Sequence, residues 1–182
     1  MRLFIDILSF VIQPILFTFS VILFSEPNIL DVIMLITGYP RSRKSRSSEV
    51  LSTSGNKKCV ALKPFPNPVI GATSAVINGK PLICGGSTSQ KIFSDCYVYE
   101  NGDWEVALNL GRPRKSAASI VSNGALWITG GTSDTGRLKS TEFVFLNNRT
   151  CSPGPNLPSK YSIDLQCVTK QKKLPCFIRL YY

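Results

Sequence analysis

The stretch VINGKPLICGG (76–86) returns 45 positions later as VSNGALWITGG (121–131). Each copy holds an Asn-Gly pair between two apolar runs. This pattern is the strongest short-range signal for a two-residue β-hairpin turn. Both central residues of such a turn need a positive φ, and Asn and Gly tolerate it best. Each copy also ends in two glycines, which mark a strand end where another backbone comes close. The sequence therefore predicts two hairpins of the same design, with turns at Asn78-Gly79 and Asn123-Gly124.

Each predicted hairpin continues into a longer unit. A third apolar run follows a polar loop in both copies, as SDCYVYE (94–100) and STEFVF (140–145). Asn101-Gly102 then predicts another tight turn, which leads into DWEVALNL. Each unit thus has four short antiparallel strands. The units occupy residues 71–115 and 116–169, the second range including the start of a fourth unit.

An earlier copy of the same pattern precedes these two units. VIMLITGYP (32–40) aligns with the glycine-ended strands and places Gly38 at the first glycine of the pair. SSEVLS (47–52) and CVALKPFPNP (59–68) align with the third and fourth strands. Residues 31–70 are therefore predicted to be a degenerate first unit. A period near 46 residues indicates a repeat architecture, in which stacked units bury one another's apolar faces.

These units resemble the kelch repeat, in which a strand ending in Gly-Gly precedes an aromatic-bearing strand and a tryptophan. The resemblance implies an all-β fold: an incomplete kelch-type β-propeller of four-stranded antiparallel blades, preceded by an apolar N-terminal segment. WD40 repeats match less well, because no Trp-Asp dipeptide ends a strand, and a single antiparallel sandwich is the other alternative. The residues that carry the resemblance are Gly38, Gly85, Gly86, Gly130, Gly131, Tyr99 and Trp104.

The number of units is small for a closed ring, since propellers typically have four to eight blades. The sequence holds two complete units and parts of others. We expect either a fragment of a longer propeller protein or self-association that completes a propeller. Residues 170–182 lack the strand alternation and turn signals of the units, so they are predicted to be a basic tail outside the repeat.

The N-terminal segment bears on cellular location. Residues 1–24 are almost entirely apolar after Arg2, which predicts that 1–25 is a signal peptide or a membrane anchor. Either would make the protein secreted or membrane-anchored and extracellular, with no other membrane contact. A misassigned start or a buried core segment is the alternative interpretation of these residues, and a cytoplasmic location is the alternative if this leader is not functional. Asn148 begins an Asn-Arg-Thr sequon, a possible glycosylation site that suits an extracellular protein.

Two cysteines fall on neighbouring predicted strands of the second unit. Cys84 and Cys96 are placed so that a cross-strand disulfide is conceivable, and an oxidising compartment would favour it. The alternative is that both are small buried hydrophobic residues.

Catalysis is not expected from this sequence. The chain contains no histidine, so the commonest general base and the commonest metal ligand are both missing. The cysteine spacing does not match a zinc site, and no phosphate-cradling glycine loop is present. We therefore predict no catalytic residues, no metal and no cofactor. Some oxidases that resemble kelch propellers bind copper through histidine and tyrosine. A remnant of such an oxidase is therefore an alternative, and the missing histidines disfavour it.

The net charge of +10 is concentrated in residues 41–58 and 170–182. No groove-reading motif accompanies it, so nucleic acid is not the expected partner. RSRKSRSS (41–48) falls between the second and third strands of the first unit, where kelch-like propellers carry binding loops. The functional interpretations of this loop are binding of an acidic partner, phosphorylation or proteolysis, and a solvated loop in a diverged unit is the alternative. Arg112, Arg114 and Lys115 would extend the basic patch. The candidate partner-binding residues of the loop are Arg41, Arg43, Lys44 and Arg46.

The sequence thus favours a non-catalytic kelch-repeat protein-interaction module whose protein partner is unknown. A propeller is a rigid platform, and its loops rather than its fold select the partner. The alternative within the same family is the substrate-binding kelch part of a ubiquitin-ligase adaptor.

Overall fold

β-Strands and loops make up the part of the chain that the computed structural model describes, which comprises residues 19–26, 29–38, 46, 48–52, 59–158, 165–167 and 176–178. No α-helix occurs in these ranges, so the described fold is all-β, as predicted. Within them, no helix has the length and apolar character needed to cross a membrane.

Twelve of the strands form three four-stranded antiparallel sheets. The first sheet consists of β1 (Phe19–Glu26), β2 (Ile29–Gly38), β3 (Ser48–Ser52) and β4 (Cys59–Ala61). The second consists of β5 (Thr73–Ile77), β6 (Lys80–Cys84), β7 (Asp95–Glu100) and β8 (Asp103–Asn109). The third consists of β9 (Ala118–Ser122), β10 (Ala125–Thr129), β13 (Thr141–Phe145) and β14 (Thr150–Pro153). In each sheet the strands are hydrogen-bonded in chain order.

Two short hairpins lie beside these sheets. β11 (Thr132–Ser133) pairs with β12 (Gly136–Arg137) in the connection between β10 and β13. β15 (Leu165–Cys167) pairs with β16 (Cys176–Ile178). β16 falls within residues 170–182, which the sequence places outside the repeat, so this tail contains a strand that its lack of alternation does not predict.

The first sheet begins earlier than predicted. β1 lies within the segment expected to be a leader, and it pairs along its length with β2, from Phe19–Gly38 to Glu26–Ile29. The first unit therefore starts before residue 31. Hydropathy alone does not separate an apolar leader from an apolar strand, and only the pairing with β2 reveals the strand. Residues 1–18 of the predicted leader lie outside the described residues.

The first strands of successive sheets lie side by side. β1 contacts β5, β5 contacts β9, and β9 contacts β15. At the other side of the second and third sheets, the last strands β8 and β14 also contact each other. The three sheets thus succeed one another in chain order, each with its first strand on the same side.

Apolar side chains that alternate along the strands form the cores between the sheets. Leu82 of β6 and Leu126 and Ile128 of β10 are completely buried in the core between the second and third sheets. Ile83, next to Leu82, belongs to a separate core with Phe65 of the segment that follows β4. Adjacent residues of one strand point to opposite faces, so the second sheet contributes to both cores.

Aromatic side chains dominate the core that contains Phe65. The Phe65 ring packs edge-to-face against Trp104 at 5.0 Å and against Tyr97 at 5.1 Å, between ring centroids. Tyr99 packs against Trp104 at 5.0 Å, and the Trp104 indole Nε1 donates a hydrogen bond to the Lys63 carbonyl at 3.2 Å. Trp104, which carries part of the kelch resemblance, therefore joins the second sheet to the segment leaving the first.

The Asn-Gly pairs have the backbone that a tight hairpin requires. Asn78, Asn101 and Asn123 have φ angles of 52°, 53° and 51°, and the glycine after each also has a positive φ. Each pair joins two antiparallel strands in direct register, as at Ile77–Lys80 and Glu100–Asp103. These turns lie at one end of the second and third sheets.

Candidate binding surface at the loop end

The second and third sheets have two different ends. One carries the short turns described above and residues 146–149, and we call it the turn end. The opposite end, which we call the loop end, carries residues 85–94 between β6 and β7, residues 130–140 between β10 and β13, and the linker 110–117 between the sheets. Longer connections are where scaffolds of this kind present binding residues, so the loop end is the candidate site.

Backbone hydrogen bonds hold the linker between the two loops. The Gly86 N–H donates to the Arg114 carbonyl at 2.9 Å, and the Arg114 N–H donates to the Phe93 carbonyl at 3.1 Å. Lys115 and Thr132 exchange two such bonds, each at 2.9 Å. One strip of linker therefore contacts the loop of the second sheet and that of the third, which joins the three segments into one surface.

The glycine pairs make this contact possible. A Cβ atom on Gly131 would lie 2.6 Å from the Lys115 carbonyl oxygen, and one on Gly85 would lie closer still to the Arg114 carbonyl oxygen. Gly86 and Gly130 also have positive φ angles. The pairs are thus the places where the linker backbone passes against the ends of β6 and β10. Gly38 ends β2 in the first sheet.

Arg114 lies buried beneath the loop end, with its side chain fully inaccessible. Its guanidinium forms an ion pair with Glu142 and donates hydrogen bonds to the carbonyls of Gly130 at 2.8 Å and Ser140 at 3.0 Å. The expectation that Arg114 extends an exposed basic patch is therefore wrong. Its charge is neutralised by a carboxylate 28 positions away in the chain, a partner that local sequence does not indicate.

Glu142 gathers further donors around the ion pair. Its carboxylate accepts hydrogen bonds from the Gly111 N–H at 2.6 Å and the Cys151 thiol at 2.9 Å. Burial raises the pKa of Glu142, but these bonds and the Arg114 charge together outweigh it and hold that pKa below its usual 4.5. Burial and the neighbouring carboxylate raise the pKa of Cys151 to about 12, so its thiol stays protonated at neutral pH.

The surface of the loop end is rich in lysine and arginine side chains. Lys91, Arg112, Arg137 and Lys139 are exposed and Lys115 is half-buried. None of these five forms an ion pair with a residue that the structure describes. Lys91 lies over the Phe93 ring, with its ammonium 5.2 Å from the ring centroid. We call these residues the basic cluster: Lys91, Arg112, Lys115, Arg137 and Lys139.

Charges at the turn end are paired instead. Lys80 pairs with Glu100 at 2.7 Å, and Arg149 lies 3.7 Å from Glu100 and 3.8 Å from Glu105. Asn78 donates its side-chain N–H to the Asn147 side-chain oxygen at 2.7 Å, which links the turn ends of the two sheets.

The basic loop chosen from the sequence is only partly described. Arg41, Arg43 and Lys44 lie outside the described residues. Arg46 is exposed, its carbonyl accepts the Phe65 N–H at 2.8 Å, and its guanidinium donates to the Pro66 carbonyl at 3.3 Å. Sequence reasoning missed Lys91, Arg137 and Lys139, although their positions in the two strand-connecting loops were available as a signal.

The remaining residues singled out from the sequence are not on the exposed surface of the loop end. Asn148 is exposed at the turn end, where its side-chain oxygen accepts a hydrogen bond from the Thr150 hydroxyl at 2.7 Å. Cys84 and Cys96 are buried, directly opposite each other on β6 and β7, and joined by a disulfide. Among the described residues, His, Cys, Asp and Glu side chains form no group of three able to hold a metal ion.

Comparison with known proteins gives a likeness of fold. No protein-family model matches the chain, and no curated protein matches it. A solved structure similar to it is that of YjhT, with a TM-score of 0.62 and 20% sequence identity. The match covers 75% of this chain and 45% of that chain, so the matched part of this chain spans less than half the length of YjhT. At this identity the two share a fold.

Proposed function

We propose that the sheets are blades of a kelch-type β-propeller and that the protein is a non-catalytic protein-interaction module. Three sheets with the same strand order, each with its first strand beside that of the next, support the propeller. So do the glycine pairs against the linkers and the fold shared with YjhT. An experimental structure in which the sheets do not follow one another radially around a common axis would contradict this part of the proposal.

The observation that carries the function is the difference between the two ends of the second and third sheets. The turn end is closed by Asn-Gly hairpins and charges that pair with one another, whereas the loop end exposes the longer connections 85–94 and 130–140 on a hydrogen-bonded frame. A rigid frame lowers the entropic cost of binding, because the contacting groups are already held in place. The loop end is therefore the surface that engages a protein partner.

The test blocks this surface with a bulky side chain. Gln90→Trp and Thr135→Trp place an indole at exposed loop-end positions, and Val106→Trp places one on β8 at a residue that is 49% exposed. Proteins captured by the immobilised full chain and its variants are quantified by mass spectrometry, after circular dichroism shows that the variants fold. We expect at least one protein to be retained by the wild type and Val106→Trp and lost with both loop-end variants.

Two results would overturn the proposal. One is that no captured protein depends on the loop-end positions. The other is that Val106→Trp abolishes capture as fully as the loop-end variants do, which would show that retention is not specific to the loop end.

A further inference from the structure

We propose that the loop end recognises an acidic segment of its protein partner through the basic cluster. The inference rests on the proposed function, because it names the chemistry of the partner that the same surface takes. Side chains rich in carboxylates, from aspartate and glutamate, are the complementary groups for lysine and arginine.

The backbone brings the five cations to one surface. Lys115 pairs with Thr132 in the third sheet's loop, while its neighbour Arg114 bonds to Gly86 and Phe93 in the second sheet's loop. Lys91 lies in the loop of the second sheet, and Arg137 and Lys139 lie in the loop of the third sheet. The linker that carries Arg112 and Lys115 therefore lies between the other three cations, and all of them belong to connected segments.

The charge of this surface is uncompensated. Among the described residues, the acids in the same part of the molecule are Asp95 and Asp134. Five positive and two negative side chains therefore leave a net charge of +3, with Arg114 and Glu142 neutralising each other. At the turn end, Lys63, Lys80 and Arg149 face Glu100, Asp103 and Glu105, and three positive against three negative charges sum to zero. Within the described part of the second and third sheets, the excess charge thus lies at the end with the long loops, where it would attract and orient an anionic partner.

Hydrogen bonds constrain the backbone of the residues that carry these cations. The Arg112 N–H donates to the Glu142 carboxylate at 3.2 Å, and the Lys139 carbonyl accepts the Leu157 N–H at 2.8 Å. The Lys91 carbonyl accepts the Thr88 N–H at 2.9 Å. Because the main chain is fixed at these points, only side-chain rotamers remain to be ordered when an acidic segment binds.

The surface suits an acidic peptide better than a nucleic acid. Binding of single strands uses exposed aromatic side chains on which bases stack, and duplex recognition uses a helix or ribbon that enters a groove. The loop-end segments contain one aromatic residue, Phe93, which is half-buried and already covered by Lys91. The cations are therefore left to form ion pairs and hydrogen bonds with carboxylates.

The test compares charge reversals that change the net charge equally. Arg137→Glu/Lys139→Glu alters the basic cluster, and Lys63→Glu/Lys80→Glu alters exposed lysines whose acidic partners lie on the second sheet, away from the loop end. Binding of a fluorescent octaglutamate peptide to the full chain is followed by anisotropy at low salt, with an octaglutamine peptide as the neutral probe. We expect the first variant to weaken binding by about tenfold. The matched control should change it by less than about twofold.

Other outcomes separate the two proposals. Equal weakening in both variants would assign binding to net charge and overturn the inference, as would tighter binding of a single-stranded oligonucleotide than of the peptide. If the tryptophan variants abolish partner capture while Arg137→Glu/Lys139→Glu leaves it unchanged, the interaction module stands and the acidic partner falls. If neither set of variants affects capture, both proposals fall.

Discussion

A Cβ atom on Gly131 would meet the carbonyl oxygen of Lys115 at 2.6 Å, and a Cβ atom on Gly85, in the glycine pair of the second sheet, would meet the carbonyl oxygen of Arg114 in the same linker. Both obstacles are backbone atoms, so they move only if the linker moves. The same linker carries Arg114, whose buried charge is balanced by Glu142. Single residues at the ends of β6 and β10 therefore determine how closely two sheets can be joined.

Gly131→Ala should destabilise the protein far more than Gly102→Ala. Both glycines have a positive φ, +86° and +81°, but a Cβ on Gly102 meets nothing within 4 Å. The turn variant should cost about 1 kcal/mol for its backbone conformation. Gly131→Ala adds the backbone clash and should cost about 3 kcal/mol. Urea unfolding followed by tryptophan fluorescence measures both, and equal costs would show that the close approach of the linker is absent.

Glu142→Gln should flatten the acid dependence of stability. The pKa of Glu142 is lower in the folded protein than in the unfolded chain, so its carboxylate stabilises the fold at pH values above about 4.5. This contribution is lost as the pH falls through the lower, folded pKa. We expect the variant to lose about 3 kcal/mol at pH 7 and to converge on the wild type in acid.

Urea midpoints between pH 7 and the acid limit of the fold measure this convergence. Glu105→Gln, a change at an exposed carboxylate, serves as the control and should follow the wild-type curve. Parallel curves for Glu142→Gln and the wild type would contradict the assigned role of the carboxylate.

Equivalent strand pairs of the second and third sheets are linked by different bonds, a disulfide in one and an ion pair with hydrogen bonds in the other. In the second sheet a disulfide joins Cys84 at the end of β6 to Cys96 near the start of β7. In the third, the Arg114 guanidinium bonds to the carbonyls of Gly130 and Ser140 and to Glu142, near the end of β10 and the start of β13. Each of these links lies where a loop-end segment leaves the sheet, and it holds together the two strands that the segment connects.

Cys84→Ala/Cys96→Ala should reduce the free energy of unfolding by about 3 kcal/mol, because the disulfide no longer restricts the unfolded chain. The two cysteines are 12 positions apart, which sets the size of the closed loop. Chemical denaturation with and without a reductant provides the measurement. The reductant should lower the stability of the wild type alone, and a double variant as stable as the oxidised wild type would overturn the assignment.

At the scale of the whole molecule, stability comes from burial between sheets. One sheet exposes apolar side chains on both faces, and neighbouring sheets cover them. Leu82 packs toward the third sheet, and Ile83 packs toward the aromatic group around Phe65 and Trp104. Exposed charges differ between the two ends: they are paired at the turn end, whereas the basic cluster at the loop end forms no ion pair with a described residue.

Trp104→Ala should cost about 3–5 kcal/mol, because it empties the core between the second sheet and the segment that follows the first. Trp104 is 6% exposed and contacts Phe65 and Tyr99. Val106→Ala, on the same strand but 49% exposed, should change stability by less than about 0.5 kcal/mol. Thermal and urea unfolding measured by circular dichroism test this, and similar costs for the two variants would mean that this core contributes little.

The sequence by itself determined the features that depend on neighbouring residues. The Asn-Gly turns at 78–79, 101–102 and 123–124 were predictable because positive φ is a local property of those residues. The alternation of strands in the second and third sheets was predictable for the same reason, since period two is read along one segment. The all-β class and the four-strand order of these sheets follow from these signals.

Only the tertiary structure decided which distant segments meet. Pairing with β2 makes residues 19–26 a strand, although their composition equally fits a leader. Glu142 turns Arg114 from an expected surface cation into a buried one, and the linker gathers Lys91, Arg137 and Lys139 into one surface. Burial and charge pairing depend on groups far apart in the chain, and no local pattern encodes them before the chain folds.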